Sequence, residues 1–303
     1  MKFSVWPNPA RPTSEILDLA RLADAAGWYG MWFADHYMPN TGSNDIQPGD
    51  VHECWAVLPA IAAVTERIRV GSLVAPTSVH HPAVLANRAA TIDHVSNGRM
   101  VLGIGAGWQI NEHTAYGIEL EEPGPRVSRF EEAIQVIRSL LDNERTTFDG
   151  DFYDITDAPA DPKPVQSPLP ILVGTGSPRM LRITARHADE WNTWGAPDMA
   201  GSALTKLLTA CEQVDRDPAT VWKSAQALVF MSDNADLAAN IRAGEMGERS
   251  ILGSNDQLVE EFGRYVELGF DELIIPDFTL GATADDRFEK YGELQSDVIS
   301  QLD

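Results

Sequence analysis

The sequence predicts an α/β protein, a single (β/α)8 TIM barrel over residues 1–303 with insertion loops after strands 2, 4 and 7. Three observations predict it. Eight short runs rich in β-branched or aromatic residues alternate with stretches of helical period. The 303 residues lie near the roughly 250 typical of one such barrel. Neither an internal repeat nor a shift in composition marks a second domain. An open doubly wound sheet is the structural alternative.

The strand candidates are 2–6, 28–34, 68–74, 99–104, 170–174, 189–193, 222–230 and 271–276. After the first, Ile16, Leu19, Ala20 and Ala23 recur at i, i+3, i+4 and i+7, with Thr13 as the expected N-cap and Gly27 as the stop. Phe130, Ala133, Ile134, Ile137, Leu140 and Leu141 form a longer stripe of the same kind. Further helices are predicted over 54–65, 83–96, 178–187, 199–214, 255–268 and 284–300. Residues 37–53, rich in Pro, Gly, Asn and Asp, follow the second strand; a strand-end loop of that length is commonly functional. Within 146–169, Asp149-Gly150 between aromatic-rich arms predicts a β-hairpin. Residues 233–253 are polar and read as a mobile lid.

Composition removes several function classes. Asp and Glu number 45 against 23 Lys and Arg, a net charge of −22, so a phosphate backbone is repelled and nucleic acid is not expected as a partner. No run of 18 apolar residues occurs, and no membrane partner is expected. The first residues lack a secretory apolar segment, and Cys54 and Cys211 are too few for a disulfide framework, so a cytoplasmic location is expected. The cations comprise 18 Arg and five Lys, which leaves few lysines for imine chemistry or phosphate capture.

Motifs narrow the chemistry further. Gly103-Ile104-Gly105-Ala106-Gly107 follows a strand but lacks the spacing of a dinucleotide fingerprint. There is no H-E-x-x-H, and His80-His81 are adjacent, which aims their rings apart; no metal is expected. No serine occupies a G-x-S-x-G elbow. The remaining polar residues cluster at predicted C-terminal strand ends, where barrel enzymes keep their sites. Asp35-His36 ends strand two, and a histidine there can move a proton near neutrality, or merely bond a loop. Gly174-Thr175-Gly176-Ser177 precedes a helix opened by Pro178, which makes either an anion site or a plain turn. The glycines of strand four admit close approach by a flat ring, or bend the strand. Trp108, Trp191 and Trp194 are either packing or the walls of an apolar pocket.

Together the residues resemble the bacterial-luciferase-like superfamily of flavin- and deazaflavin-dependent oxidoreductases. The resemblance is carried by Ala34-Asp35-His36-Tyr37-Met38-Pro39, by Asp93 through Arg99, and by Val101 through Trp108. Asn111 through Gly117 and Arg126 through Glu132 continue it, and it covers residues 1–200 best. It implies a barrel with a ring cofactor at its mouth. The compact length and the Asp-His pair resemble the branch that uses coenzyme F420, a 5-deazaflavin, with FMN as the alternative cofactor.

On that resemblance, His36 is the proton-donating residue. Asp35, Ser72, Leu73, Ala75, Ala106, Gly107 and Asn111 contact the cofactor, and a non-proline cis peptide falls at Ser72-Leu73. Gly174, Thr175, Gly176 and Ser177 take its phosphate, and Trp108 and Trp194 face the substrate. Trp108 stands where F420-dependent glucose-6-phosphate dehydrogenases carry a catalytic glutamate, and their phosphate-binding lysines have no counterpart. The implied substrate is therefore a small, weakly polar carbonyl, enone or alcohol. Arg179, Arg182 and Arg186 can share one helix face, either to meet an anionic cofactor tail or as an ion-paired surface. A homodimer is the implied assembly. A two-component FMN monooxygenase and a non-catalytic flavin-binding protein are the competing functions.

Overall fold

The computed structural model describes residues 1–302. Its eight barrel strands are β1 (Lys2–Trp6), β2 (Gly30–Phe33), β3 (Arg69–Ser72), β4 (Met100–Gly105), β5 (Ile171–Gly174), β6 (Glu190–Trp194), β7 (Trp222–Gln226) and β8 (Glu272–Pro276). Each pairs in parallel with its sequence neighbour, and β8 pairs with β1, so the sheet closes and no barrel strand keeps a free edge. The outer helices are α1 (Thr13–Ala26), α2 (Cys54–Ala63), α3 (Pro82–Ser96), α4 (Pro123–Asp142), α5 (Pro178–His187), α6 (Pro197–Gln213), α7 (Asn255–Leu268) and α8 (Ala284–Glu293).

The periodicities explain which faces are buried. Ile16, Leu19, Ala20 and Ala23 of α1 are buried, as is the stripe from Phe130 to Leu141 on α4. Each large apolar side chain so buried contributes roughly 1.5–3 kcal/mol, an upper figure because unfolded chains already bury some surface. Thr13 is the first residue of α1 rather than its cap: Pro12 holds the N-cap position with no side-chain bond, while Gly27 ends the helix at φ 82°. Inside the barrel, Trp6, Trp32, Ala34, Leu73, Val101, Leu172 and Ile274 form a separate apolar plug. Beneath it Glu272 accepts hydrogen bonds from Ser4 Oγ (2.5 Å), Trp32 Nε1 (2.8 Å) and Trp222 Nε1 (3.1 Å), and Arg69 pairs with Glu190.

The segment Asp93 through Arg99 is scaffold. Asp93 accepts from Met100 N and from Gln166 N, while Arg99 bonds the Ala62, Thr65, Ile68 and Ser96 carbonyls and so ties α2, α3 and the start of β3 together.

Several boundaries differ from the sequence reading. The run 222–230 is two elements: β7 ends at Gln226, and Leu228–Met231 pairs in parallel with Ser250–Gly253 in a small sheet of its own. The stretch 233–253 accordingly contains helix Ala235–Ala243, capped by Asn234, and that added strand. The hairpin exists, Thr146–Asp149 against Asp154–Ala158, but it follows α4 rather than a barrel strand. Its turn is held by Glu132, which accepts the amides of Asp151 (2.9 Å), Phe152 (2.9 Å) and Tyr153 (3.2 Å). A short helix, Ile110–Tyr116, follows β4 directly. Residues 37–53 form neither helix nor strand.

Candidate active site

At the C-terminal end of β3 the chain slips against β4. Gly71 pairs with Val101 and Ala75 with Ile104, so four steps on one strand oppose three on the other and one residue bulges inward. The peptide that is cis in this bulge is Leu73–Val74, one residue beyond the expected Ser72-Leu73. Ser72 instead lies within β3 and donates its hydroxyl to the Gly103 carbonyl (2.7 Å).

Val74 thereby stands at the mouth between two bare strand ends. A Cβ on Gly105 would come within 2.8 Å of one Val74 methyl, and a Cβ on Gly174 within 3.2 Å of the other. Gly107, at φ 91°, would place a Cβ 2.0 Å from Ser78 Oγ. The glycines are therefore what leaves a backbone floor around this valine. Above it lies a cleft of about 290 Å³ lined by Asp35, His36, Val74, Pro76, Gly105, Ala106, Gly107, Trp108, Glu112, Pro123, Arg126, Val127, Gly174, Thr175, Ser177 and Met180. A floor of one valine flanked by bare glycine backbone, with a largely apolar wall, fits a flat ring.

Asp35 and His36 sit side by side in sequence but turn to different partners. Asp35 is wholly buried; its Oδ2 accepts from Trp55 Nε1 (2.8 Å) and lies 2.8 Å from His80 Nε2, while no protein donor reaches Oδ1. His36 keeps a quarter of its side chain exposed, and its Nδ1 lies 3.1 Å from Oε1 of Glu112, itself nearly fully buried. The second oxygen of Glu112 accepts the Tyr37 amide (2.9 Å). A carboxylate that accepts twice puts the imidazole proton on Nδ1 and leaves Nε2 as the nitrogen free to exchange a proton. Burial, and next the Asp35 carboxylate, push the Tyr37 phenol far above its usual range, so it acts as a neutral hydroxyl.

Of the residues singled out in the sequence, Asp35, His36, Ala106, Gly107, Trp108, Gly174, Thr175 and Ser177 line one cleft. Asn111 does not: it is buried, and its amide donates to the carbonyls of Pro39 (3.0 Å) and Asp45 (3.2 Å), pinning the long loop after β2. Leu73 belongs to the plug inside the barrel, Ala75 is buried in the strand that continues past the bulge, and Gly176 is open to its surroundings. Trp194 packs on Trp6 (5.6 Å) across the barrel and under the Arg249 guanidinium (5.7 Å). Trp108 is half exposed and stands perpendicular to His36, ring centroids 5.6 Å apart. Arg179 and Arg186 both reach Glu131 of α4, at 3.3 and 3.6 Å, so their shared face is the ion-paired one.

Sequence reading missed Glu112, Arg126 and His80. Glu112 lies next to Asn111 within a motif already singled out, but only the turn of the helix Ile110–Tyr116 brings it back to strand two. Arg126 sits in the first turn of α4 and lines the cleft, and among the described residues no carboxylate pairs with it.

The model of the luciferase-like monooxygenase family matches residues 1–243. An F420-dependent glucose-6-phosphate dehydrogenase of Amycolatopsis mediterranei is 33% identical over 178 residues, 58% of this chain and 51% of that protein, so this match spans about half of the relative's length. Its counterpart from Microbacterium testaceum is 30% identical over 299 residues, covering 87% of each chain. Among solved structures, the coenzyme F420-dependent tetrahydromethanopterin reductase of Methanopyrus kandleri superposes with a TM-score of 0.82 at 18% identity, covering 100% of this chain and 99% of that one. A monooxygenase from Streptomyces bottropensis superposes with a TM-score of 0.82 at 20% identity over 100% of both chains. At these identities the superpositions establish a common fold.

Proposed function

The chain belongs to the luciferase-like monooxygenase family, and from that premise we propose a coenzyme F420-dependent oxidoreductase acting on a small, weakly polar carbonyl, enone or alcohol. The observation that carries this reading is the pairing of a glycine-floored cleft with a carboxylate-held histidine at its wall. The resemblance of long stretches to F420-dependent dehydrogenases supports the choice of cofactor.

The residues fit such a ring. Val74, Gly105 and Gly174 offer its face a support, Asp35, whose buried Oδ1 lacks a protein donor, borders the cleft with an acceptor, and Arg126 with Thr175 and Ser177 offers donors for a phosphate. When bound, a 5-deazaflavin supplies a carbon that gives or takes a hydride. The chain's own part is the proton. His36 Nε2 gives a proton to a substrate carbonyl oxygen, or takes one from an alcohol, while Glu112 stabilises the cationic imidazole. Trp108, perpendicular to His36, gives with Val127 and Met180 an apolar wall to the cleft beside the imidazole. No lysine lines the cleft, which supports a substrate without a phosphate of its own.

The deciding experiment titrates the protein in parallel with F420 and FMN by tryptophan quenching, with mass spectrometry of any chromophore that co-purifies. A panel of short secondary alcohols, ketones and cyclic enones is then assayed with F420. Tight F420 binding with turnover that His36→Ala lowers at least tenfold, cofactor affinity being kept, supports the reading. Oxygen consumption that depends on reduced FMN would replace it with a monooxygenase. Binding without turnover across the panel would favour a carrier protein.

A further inference from the structure

Asp35 is held from behind by residues that the proposed chemistry does not use. Two donors converge on one of its oxygens: Trp55 Nε1 at 2.8 Å and His80 Nε2 at 2.8 Å. His80 is itself fixed. Its Nδ1 lies 3.3 Å from Arg88 Nη1, and a guanidinium can only donate, so Nδ1 accepts and the ring proton sits on Nε2, toward Asp35. The Tyr37 hydroxyl lies 3.2 Å from the same Nε2, Trp55 meets His80 edge to face at 6.1 Å, and Arg88 stacks over Trp55 at 5.8 Å. His80 is 9% exposed and Asp35 is buried, so the contact between them is shielded from solvent. The other oxygen, Oδ1, is buried without a donor, although Asp35 lines the cleft.

We infer that His80, oriented by Arg88, is a positioning residue that locks the Asp35 carboxylate in one rotamer and reserves Oδ1 for an N–H or O–H of the ring-shaped ligand in the cleft. This deepens the function proposed above and rests on it. A carboxylate free to turn would bring either oxygen to either partner; two fixed donors on Oδ2 remove that freedom. Asp35 therefore meets its ligand already aligned, and the ordering cost falls on folding rather than on binding. Adjacent histidines, which look unsuited to share a metal, here divide their roles: His80 turns inward to Asp35, whereas His81 caps α3.

The test uses the full-length protein without cofactor, titrated with F420 and with FMN by tryptophan quenching. His80→Phe keeps a ring but has no donor, His80→Gln keeps a donor amide, and Arg88→Met releases the tautomer without touching Asp35. The expected result is a rise in Kd of about tenfold or more for the better-bound ring in His80→Phe, and a smaller rise in Arg88→Met. His80→Gln is expected to return to within about threefold of wild type, with melting temperatures alike. A purely structural role would not be rescued by the amide. Undiminished affinity in His80→Phe, or His80→Gln as weak as His80→Phe, overturns the inference. If His80→Phe does not fold, Arg88→Met decides in its place, and wild-type affinity there overturns it. Binding of neither ring by the wild type would sink the proposed function and this inference together. Wild-type binding with the Phe variant undiminished would sink the inference alone.

Discussion

Replacing Glu112 by Gln changes one atom of a buried side chain and separates the two duties of its carboxylate. Oε1 faces His36 Nδ1 at 3.1 Å and Oε2 accepts the Tyr37 amide at 2.9 Å. Glutamine has one carbonyl oxygen, so one donor must face an NH2 group. The main-chain amide cannot turn away, whereas the imidazole can. The loss therefore falls on His36. A hydrogen bond to a charged group contributes about 1.5–3 kcal/mol and a neutral one about 0.5–1.5, so the exchange removes roughly 1–2 kcal/mol from the protonated imidazole. If His36 carries the proton in the rate-limiting step, turnover falls about 5- to 30-fold. F420 affinity should stay within about threefold, because Glu112 supports the imidazole rather than the floor of the cleft. The assay is steady-state disappearance of oxidised F420 with whichever panel substrate the wild type accepts, run for E112Q, H36A and the double variant. The two residues act as a unit, so E112Q in the H36A background should add almost nothing. Turnover of E112Q above half of wild type, or a full further loss in the double variant, would refute the dyad.

Three other outcomes follow from the same geometry. Gly174→Ala adds a methyl 3.2 Å from Val74 Cγ1 and should cost less than about 1.5 kcal/mol of stability, yet weaken ring binding about tenfold, as read by urea midpoints and fluorescence titration. Arg126→Gln should lower FMN affinity about tenfold and leave riboflavin, the same ring without phosphate, unchanged; equal losses for both would remove Arg126 from phosphate binding. Asp24 offers a pH dependence with a definite sign. Burial opposes its charge, but the amides of Ile68, Arg67 and Glu66 (3.0, 2.7 and 3.2 Å) outweigh burial and lower its pKa. A depressed carboxyl contributes stability that is fully present above its unfolded value and lost as pH falls through its folded value. Asp24→Ala should therefore destabilise the protein at pH 7, and the gap in urea midpoint should begin to close only below roughly pH 4, where the unfolded carboxyl takes up its proton. A gap that persists at low pH would show that packing, not charge, is lost.

Local pattern carried most of the architecture. Short β-branched or aromatic runs marked the strands and helical period marked the outer helices, because a parallel barrel strand is buried on both faces whereas each helix buries one, and both patterns are written in neighbouring residues. Local pattern failed where two strands abut with no turn residue between them: 222–230 contains no Gly, Pro, Asn or Asp, and only the partner strand Ser250–Gly253 shows where β7 ends. Helix starts failed similarly at Thr13, since a good capping residue does not cap when Pro12 already sets the chain direction.

At the site, sequence by itself determined which residue types stand at the strand ends: Asp35, His36, the glycines of β4 and the Gly174–Ser177 turn. Tertiary structure alone decided their partners. Asp35 and His36 point apart because successive side chains leaving a strand diverge, so one turns to His80 and the other to Glu112, 45 and 76 residues away. The bulge at Val74 depends on a register mismatch with β4, which no single strand records. The arginines after the Gly174–Ser177 turn were spaced to share a face, but Glu131 on the neighbouring helix decided what that face meets. Spacing along a chain sets which side chains can be neighbours within an element; which of them meet across elements is settled by packing.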